Sequence, residues 1–334
     1  MSAPARISAC ALPPSLAWCS LVERSIKAWK SLYFKADKSL GMNARPHHQP
    51  EQMLRSCRSL DELLRRAGDI FMFWFFQRRE AFLAQKRLIK WCPDALDEYI
   101  LLPASPGYLS RRDCFFVSHF WHTTDDPDPD GDYLRQFQAS LEPLEWSYIW
   151  VDWSCTPQAP RSDVEKQYFV RSLQTVSSII RNCAFMWFYP PFEARLWILY
   201  EVAEFVLTSS GGLPETPDME EYMKHIREMT QHGVRSVLDK YQYECKYEHD
   251  KAFLLSWLEV LVLLRRLRIE ITDARLLLDY LTWLPTARRI NLGMWLQLDK
   301  SNGFLIVNGV PWKFTAFPDV IIETSLSNPQ SEPE

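Results

Sequence analysis

Glycine is scarce in this chain, with 10 among 334 residues. No stretch matches G-x-G-x-x-G or G-x-x-x-x-G-K-[ST], which argues against a dinucleotide-fold dehydrogenase and a P-loop NTPase. The eight cysteines contain no C-x-x-C pair. That scatter fits free, mostly buried thiols in a reducing compartment. Long apolar runs are missing too. The greasiest, "IFMFWFF" (70–76) and "FLLSWLEVLVLL" (253–264), fall short of the roughly 18–20 residues needed to span a bilayer. Pro13 and Pro14 interrupt what would be a signal core. The expectation is a soluble, cytoplasmic protein without a membrane partner.

What is present is apolar and aromatic: 47% hydrophobic and 14% Phe, Trp and Tyr. Such a chain can bury a large core. Net charge is only −4, but it is unevenly placed. Residues 1–91 hold 16 Lys+Arg against 7 Asp+Glu, giving +9, and the remainder holds 22 against 35, giving −13. Either the two regions pack on each other, or the basic residues between 24 and 90 meet RNA or another acidic partner.

Three regions follow from the pattern. Residues 1–105 form a basic helical region, with helices expected over "LAWCSLVERSIKAWKSLYFK", "SLDELLRRAGDIFMFWFF" and "RREAFLAQKRLIKWC", and a loop over "NARPHHQPEQ". Ser59 with Asp61 and Glu62 supplies a helix start. "LLPASPGYLS" (101–110) marks a boundary. From 106 to 215 strands and helices alternate: "DCFFVSHFW", "WSYIWVDW" and "CAFMWFY" as strands, separated by helices, the last helix stopping at Gly211 and Gly212. That order predicts an α/β domain, a parallel sheet with helices on both faces. Residues 216–334 read as helical, with a terminal hairpin turning at Asn308-Gly309 and a disordered tail, "SLSNPQSEPE".

Ligands in such sheets bind beyond the carboxyl ends of the strands. Ser118, His119 and Trp121 sit at the end of the first strand, and Asp152 and Cys155 at the end of the second. His119 is a candidate acid or base, Asp152 a candidate site carboxylate, and Cys155 a nucleophile only if a base stands beside it. His119 and His122 lack the spacing of a zinc site. Between the strands, Asp126, Asp128, Asp130 and Gly131 imitate the opening of an EF-hand. The twelfth position is Phe137, where calcium needs a bidentate Glu. Asp128 and Asp130 are instead expected to serve the helix that follows. No metal and no resident cofactor are expected.

The ordered set "FVSHFW", "PDPDG", "WVDWSCTPQ" and "RLWILYE" resembles the TIR (Toll/interleukin-1 receptor-like) superfamily, in a lineage frequent in fungi and protists. It covers about 95 residues, near 113–208, and leaves the flanks outside. The resemblance implies a TIR-like, Rossmann-like fold. In enzymatic TIR domains a glutamate in W-x-x-x-E breaks the nicotinamide–ribose bond of NAD, which carries onto Trp197 and Glu201. A carboxylate there stabilises an oxocarbenium-like state. Trp197 shares a helix face with Glu201, and Arg195 is placed to meet a phosphate.

Three functions compete. The first is cleavage of NAD or a related nucleotide as substrate, with Glu201, Asp152 and His119 catalytic and Ser118, Trp121, Arg195 and Trp197 binding. The second is an aminoacyl-tRNA-dependent cyclodipeptide synthase of fungal secondary metabolism, resting on the basic N-terminal region and the missing nucleotide loop. The third is a non-catalytic signalling or incompatibility module that assembles as a homo-oligomer.

Overall fold

The computed structural model describes residues 15–40, 48–66, 72–104, 107–123, 125–189, 192–211, 213–214, 216–291 and 293–318. The expected disordered tail, Pro13, Pro14, Gly212 and residues 43–47 of the expected 43–52 loop lie outside the described residues; residues 48–52 are helical and not loop. The chain divides into two units: Met1–Val117, Trp121–Phe169 and Asn182–Met186 in the first; Ser118–Phe120, Val170–Arg181 and Trp187–Glu334 in the second.

The first unit opens with α1 (Leu16–Leu40), α2 (His48–Ser56) and α3 (Leu60–Arg65). On α1 the buried Trp18, Leu21, Val22, Ile26 and Trp29 recur at helical spacing. Ser59 accepts the Glu62 amide at 3.2 Å while Glu62 accepts the Arg58 amide at 2.8 Å, a reciprocal arrangement at the start of α3. Then follow β1 (Phe73–Arg78), α4 (Arg79–Ala84), β2 (Tyr99–Pro103), β3 (Cys114–His119), α5 (Asp132–Leu141), β4 (Tyr148–Val151), α6 (Asp152–Cys155), α7 (Asp163–Asn182) and β5 (Ala184–Phe188). Three of these elements, β3, α7 and β5, contribute residues to both units.

The molecule is mixed α/β, with a five-stranded sheet in the order β2-β1-β4-β3-β5 and helices flanking it. β3 and β4 are parallel, pairing Val117 with Val151, as expected from the strand–helix–strand pattern. The wholly parallel sheet is corrected: β1 runs antiparallel to both β2 and β4. Two of the strands come from the region expected to be helical. The "IFMFWFF" run carries no periodicity that separates a buried strand from a buried helix. Phe73, Trp74, Phe75 and Phe76 are all buried, so both faces of β1 are covered, and its aromatic content suits a strand. The helix expected over 78–92 likewise stops at Ala84.

The free edge of β2 is closed by side chains of α1. Ser25 accepts the Leu101 amide at 2.9 Å, Trp29 donates to the Leu101 carbonyl at 2.6 Å, and Arg24 to the Tyr99 carbonyl at 3.0 Å. These are the groups an edge strand would otherwise offer to another chain.

The second unit holds α8 (Leu196–Leu207), α9 (Pro217–His232), α10 (Val234–Tyr241), α11 (Glu248–Arg266), α12 (Ile271–Trp283), β6 (Thr286–Asn291), β7 (Met294–Asp299), β8 (Phe304–Val307) and β9 (Val310–Lys313). α8 packs on α11 and α9, and α12 on β6. The strands form an antiparallel meander, β6-β7-β8-β9. The β8–β9 hairpin turns at Asn308 and Gly309, with φ of 50° and 84°, as two-residue hairpins of this sequence require. β6 and β7 were not expected, because "TARRIN" alternates only weakly and keeps a single fully buried position, Ala287. Among the described residues no helix is long and apolar enough to cross a membrane.

Candidate active site

Helix α8 is apolar nearly all round, with Leu196, Ile198, Leu199, Tyr200, Val202, Ala203, Glu204 and Phe205 buried. Trp197 and Glu201 are half-buried, on one stripe as their spacing of four requires. The two glutamates of the helix have separate employments. Glu204 is fully buried and meets Arg181 at 2.5 Å, and Arg181 also meets Asp279 at 2.9 Å. Burial is the largest influence on Glu204 and pushes its carboxyl up, while Arg181 pulls it down.

Glu201 faces the end of β3. Its Oε2 accepts a hydrogen bond from Ser118 Oγ, and Ser118 Oγ accepts from the Tyr189 hydroxyl at 2.7 Å. The result is a chain of three groups, Tyr189 to Ser118 to Glu201, of which Ser118 and Tyr189 are buried. Burial, then the nearby Glu201 carboxylate, pushes the Tyr189 phenol well up, so it remains a donor. Tyr189 is also packed against Tyr222 at 5.5 Å. The sequence flagged Ser118 and Glu201 separately but missed Tyr189. Its signal was the one that flagged Ser118: it directly follows a strand, β5, in the expected α/β block.

The other expected residues fall as follows. His119 closes β3 and is buried. Trp197 donates from Nε1 to Asp250 at 3.3 Å and meets Tyr200 edge-on at 6.0 Å. Arg195 precedes α8, pairs with Glu193 at 3.2 Å and lies 5.1 Å from the Phe120 ring centre. Its exposed guanidinium is held at the entrance of the helix.

Asp152 and Trp121 are brought together in the first unit. Trp121 Nε1 donates to Asp152 Oδ2 at 2.9 Å, and the Trp153 amide donates to Oδ1 at 2.6 Å. The Asp152 carbonyl takes Thr156 Oγ1 at 2.6 Å and Gln158 Nε2 at 2.9 Å. Oδ1 and the main-chain carbonyl of Asp152 therefore hold the turn after β4, while Oδ2 ties that turn to Trp121 beyond β3. Cys155 is fully buried, and burial pushes its thiol up to about 12, which leaves no thiolate for nucleophilic work at neutral pH.

The acidic loop is divided by function. Asp128 is buried, and its two oxygens accept the amides of Tyr133 at 3.1 Å and Leu134 at 2.9 Å, in the first turn of α5. Asp130 contributes only its carbonyl, to Arg135 at 2.9 Å. Gly131 takes φ of 72°, a left-handed turn that glycine enters without strain. His122 stacks on Tyr133 at 4.9 Å. No group of three or more His, Cys, Asp or Glu among the described residues could hold a metal ion.

Comparisons with models of known protein families, with curated proteins and with solved structures give no match. The site must be interpreted from its own chemistry.

Proposed function

We propose that this chain is a TIR-like enzyme that cleaves the nicotinamide–ribose bond of NAD or a related nucleotide, with Glu201 as the working carboxylate. The observation that supports the reading is the chain from Tyr189 through Ser118 to Glu201. It fixes one carboxylate at the carboxyl end of β3, where α/β sheets place ligands.

The chemistry needs little more. Nicotinamide in NAD is a pyridinium, and it leaves as a neutral base when it takes the bonding electron pair. No general acid is required, so a single carboxylate suffices where ordinary glycosides need two. Positive charge then develops on the ribose, and Glu201 stabilises it across a short distance in a partly dry site. Water adds to the anomeric carbon and loses a proton, giving ADP-ribose and nicotinamide. Ser118 keeps the carboxylate in one orientation and so reduces the reorganisation needed as the charge forms. Arg195 serves as a phosphate contact and Trp197 as an apolar wall. His119, Trp121 and Asp152 act as supports of the strand ends.

The tRNA-dependent alternative rests on the basic N-terminal residues. Several are committed within the first unit: Arg24 to backbone carbonyls, Arg55 to Glu23 and Glu51, Arg65 to Asp61, and Arg79 to the Glu142 carbonyl. The cleavage reading is therefore preferred.

The test is nicotinamide release from NAD by purified wild type and Glu201→Gln. Loss of one preorganised charge in such a site lowers kcat by about 100-fold or more. Release by the wild type and a loss of that size in the variant, with an unchanged far-ultraviolet spectrum, support the assignment. Equal activity in the two proteins, or no release by either, overturns it.

A further inference from the structure

The segment between α4 and β2 is irregular over most of its length, yet it is pinned. Gln138 Nε2 donates to the carbonyls of Phe82 at 3.0 Å and Gln85 at 2.9 Å. Gln85 Oε1 accepts the Ile89 amide at 3.2 Å, Ser154 Oγ donates to the Ile89 carbonyl at 2.7 Å, and the Trp91 amide donates to the Trp153 carbonyl at 2.9 Å. Leu88 is buried between these anchors. A loop held at so many points does not need to be ordered when a ligand arrives, which removes a cost that flexible cationic loops bear.

What it presents is charge. Lys86 and Arg87 are exposed, and neither has an ion-pair partner among the described residues. Lys90 bonds to the Ala159 carbonyl and lies 5.5 Å from the Trp153 ring centre. These three cations share a groove of about 540 Å³ with Trp153, Asp125 and Asp126, a volume in the range of small-molecule sites. Asp126 uses one oxygen for the Asp128 amide, at 3.0 Å, and Asp125 is exposed.

Cations alone would suit any anion, but the two carboxylates that also line the groove repel a bare one. A magnesium-complexed diphosphate answers both signs of charge. Magnesium is usually held by one or two carboxylates, retained waters and the phosphates of its partner. We propose that this groove binds a diphosphate-bearing small molecule as its magnesium complex, with Lys86 and Arg87 on the phosphate oxygens and Asp125 and Asp126 on the ion or its waters. The site lies wholly in the first unit and does not depend on the assignment of Glu201.

Calorimetric titration of the full chain tests it with magnesium pyrophosphate, pyrophosphate in EDTA, and magnesium orthophosphate. The expected result is saturable binding of magnesium pyrophosphate, weakened at least tenfold without magnesium and at least tenfold with orthophosphate. Lys86→Ala with Arg87→Ala should weaken it tenfold or more. Asp125→Asn with Asp126→Asn should abolish the magnesium dependence. All four side chains lie outside the buried core, and matching thermal transitions establish that each variant is folded. No binding at millimolar magnesium pyrophosphate, equal affinity in the Lys86/Arg87 variant, or equal affinity for orthophosphate overturns the proposal.

Discussion

Replacing Arg181 with Met exposes the logic of the helix that carries Glu201. In the native unit the Arg181 guanidinium sits between Glu204 on α8 and Asp279 on α12, with Thr282 accepting from it at 3.2 Å. All three charged side chains are buried. Methionine fills comparable space but leaves two carboxylates without a cation. Breaking a buried pair from one side costs about 3–5 kcal/mol, and the two oxygens that lose charge-assisted bonds account for most of that. In the variant the Glu204 carboxyl, pushed up by burial, loses the cation that pulls it down, so its folded-state pKa stands above its unfolded one. Such a group keeps its contribution below the unfolded pKa and loses it as pH rises through the folded pKa. The deficit should therefore be small near pH 5 and full at pH 8. Hydrogen exchange of peptides from α8, corrected for the intrinsic pH dependence, reads the opening free energy of that helix. Restoring neutrality with Glu204→Gln and Asp279→Asn in the Arg181→Met background should recover more than half of the loss. A deficit below about 1 kcal/mol, or one equal at both pH values, would show that the triad is not what holds α8.

Two further outcomes follow from the same unit. Ser118→Ala removes the donor to Glu201 and the acceptor of the buried Tyr189 hydroxyl. Stability should fall by about 1–3 kcal/mol, and kcat for NAD cleavage by roughly tenfold; unchanged kcat would remove Ser118 from the mechanism. Burial, with a smaller contribution from Arg171, lowers the Lys300 ammonium to about 8. The unfolded chain then holds a proton that the folded chain has released, so stability should climb between pH 8 and 10. Lys300→Met should flatten that climb in urea titrations, and a variant with the same slope as wild type would contradict it.

The parallel pair β3–β4 and the strand β5 were legible because their apolar runs are short and separated by long amphipathic helices. β1 was not, since a seven-residue apolar run has no period to betray its conformation. The site was half legible. Strand-end position selects Ser118, and W-x-x-x-E spacing selects Glu201. Nothing in the order of residues says that these two, 83 positions apart, share a hydrogen bond. Nor does spacing say which glutamate of α8 is locked to Arg181, because the partners lie 23 and 98 positions away. Such pairings are decided by packing, and the sequence carries them only as polar residues on otherwise apolar faces.

The insertion of β1 between β2 and β4 also governs where this chain tolerates being cut. The Pro/Gly/Ser-rich stretch near 105 invites a truncation that keeps the strand–helix alternation after it. Such a fragment would lose β1 and β2 together with the α1 side chains that seal β2. β4 would become an outer strand, its Ile149, Trp150 and Val151 buried in the intact chain and its backbone groups toward β1 left open. An apolar strand with a bare edge recruits other chains. Such a fragment should aggregate, because the strand that covers the edge of β4 comes from the first hundred residues.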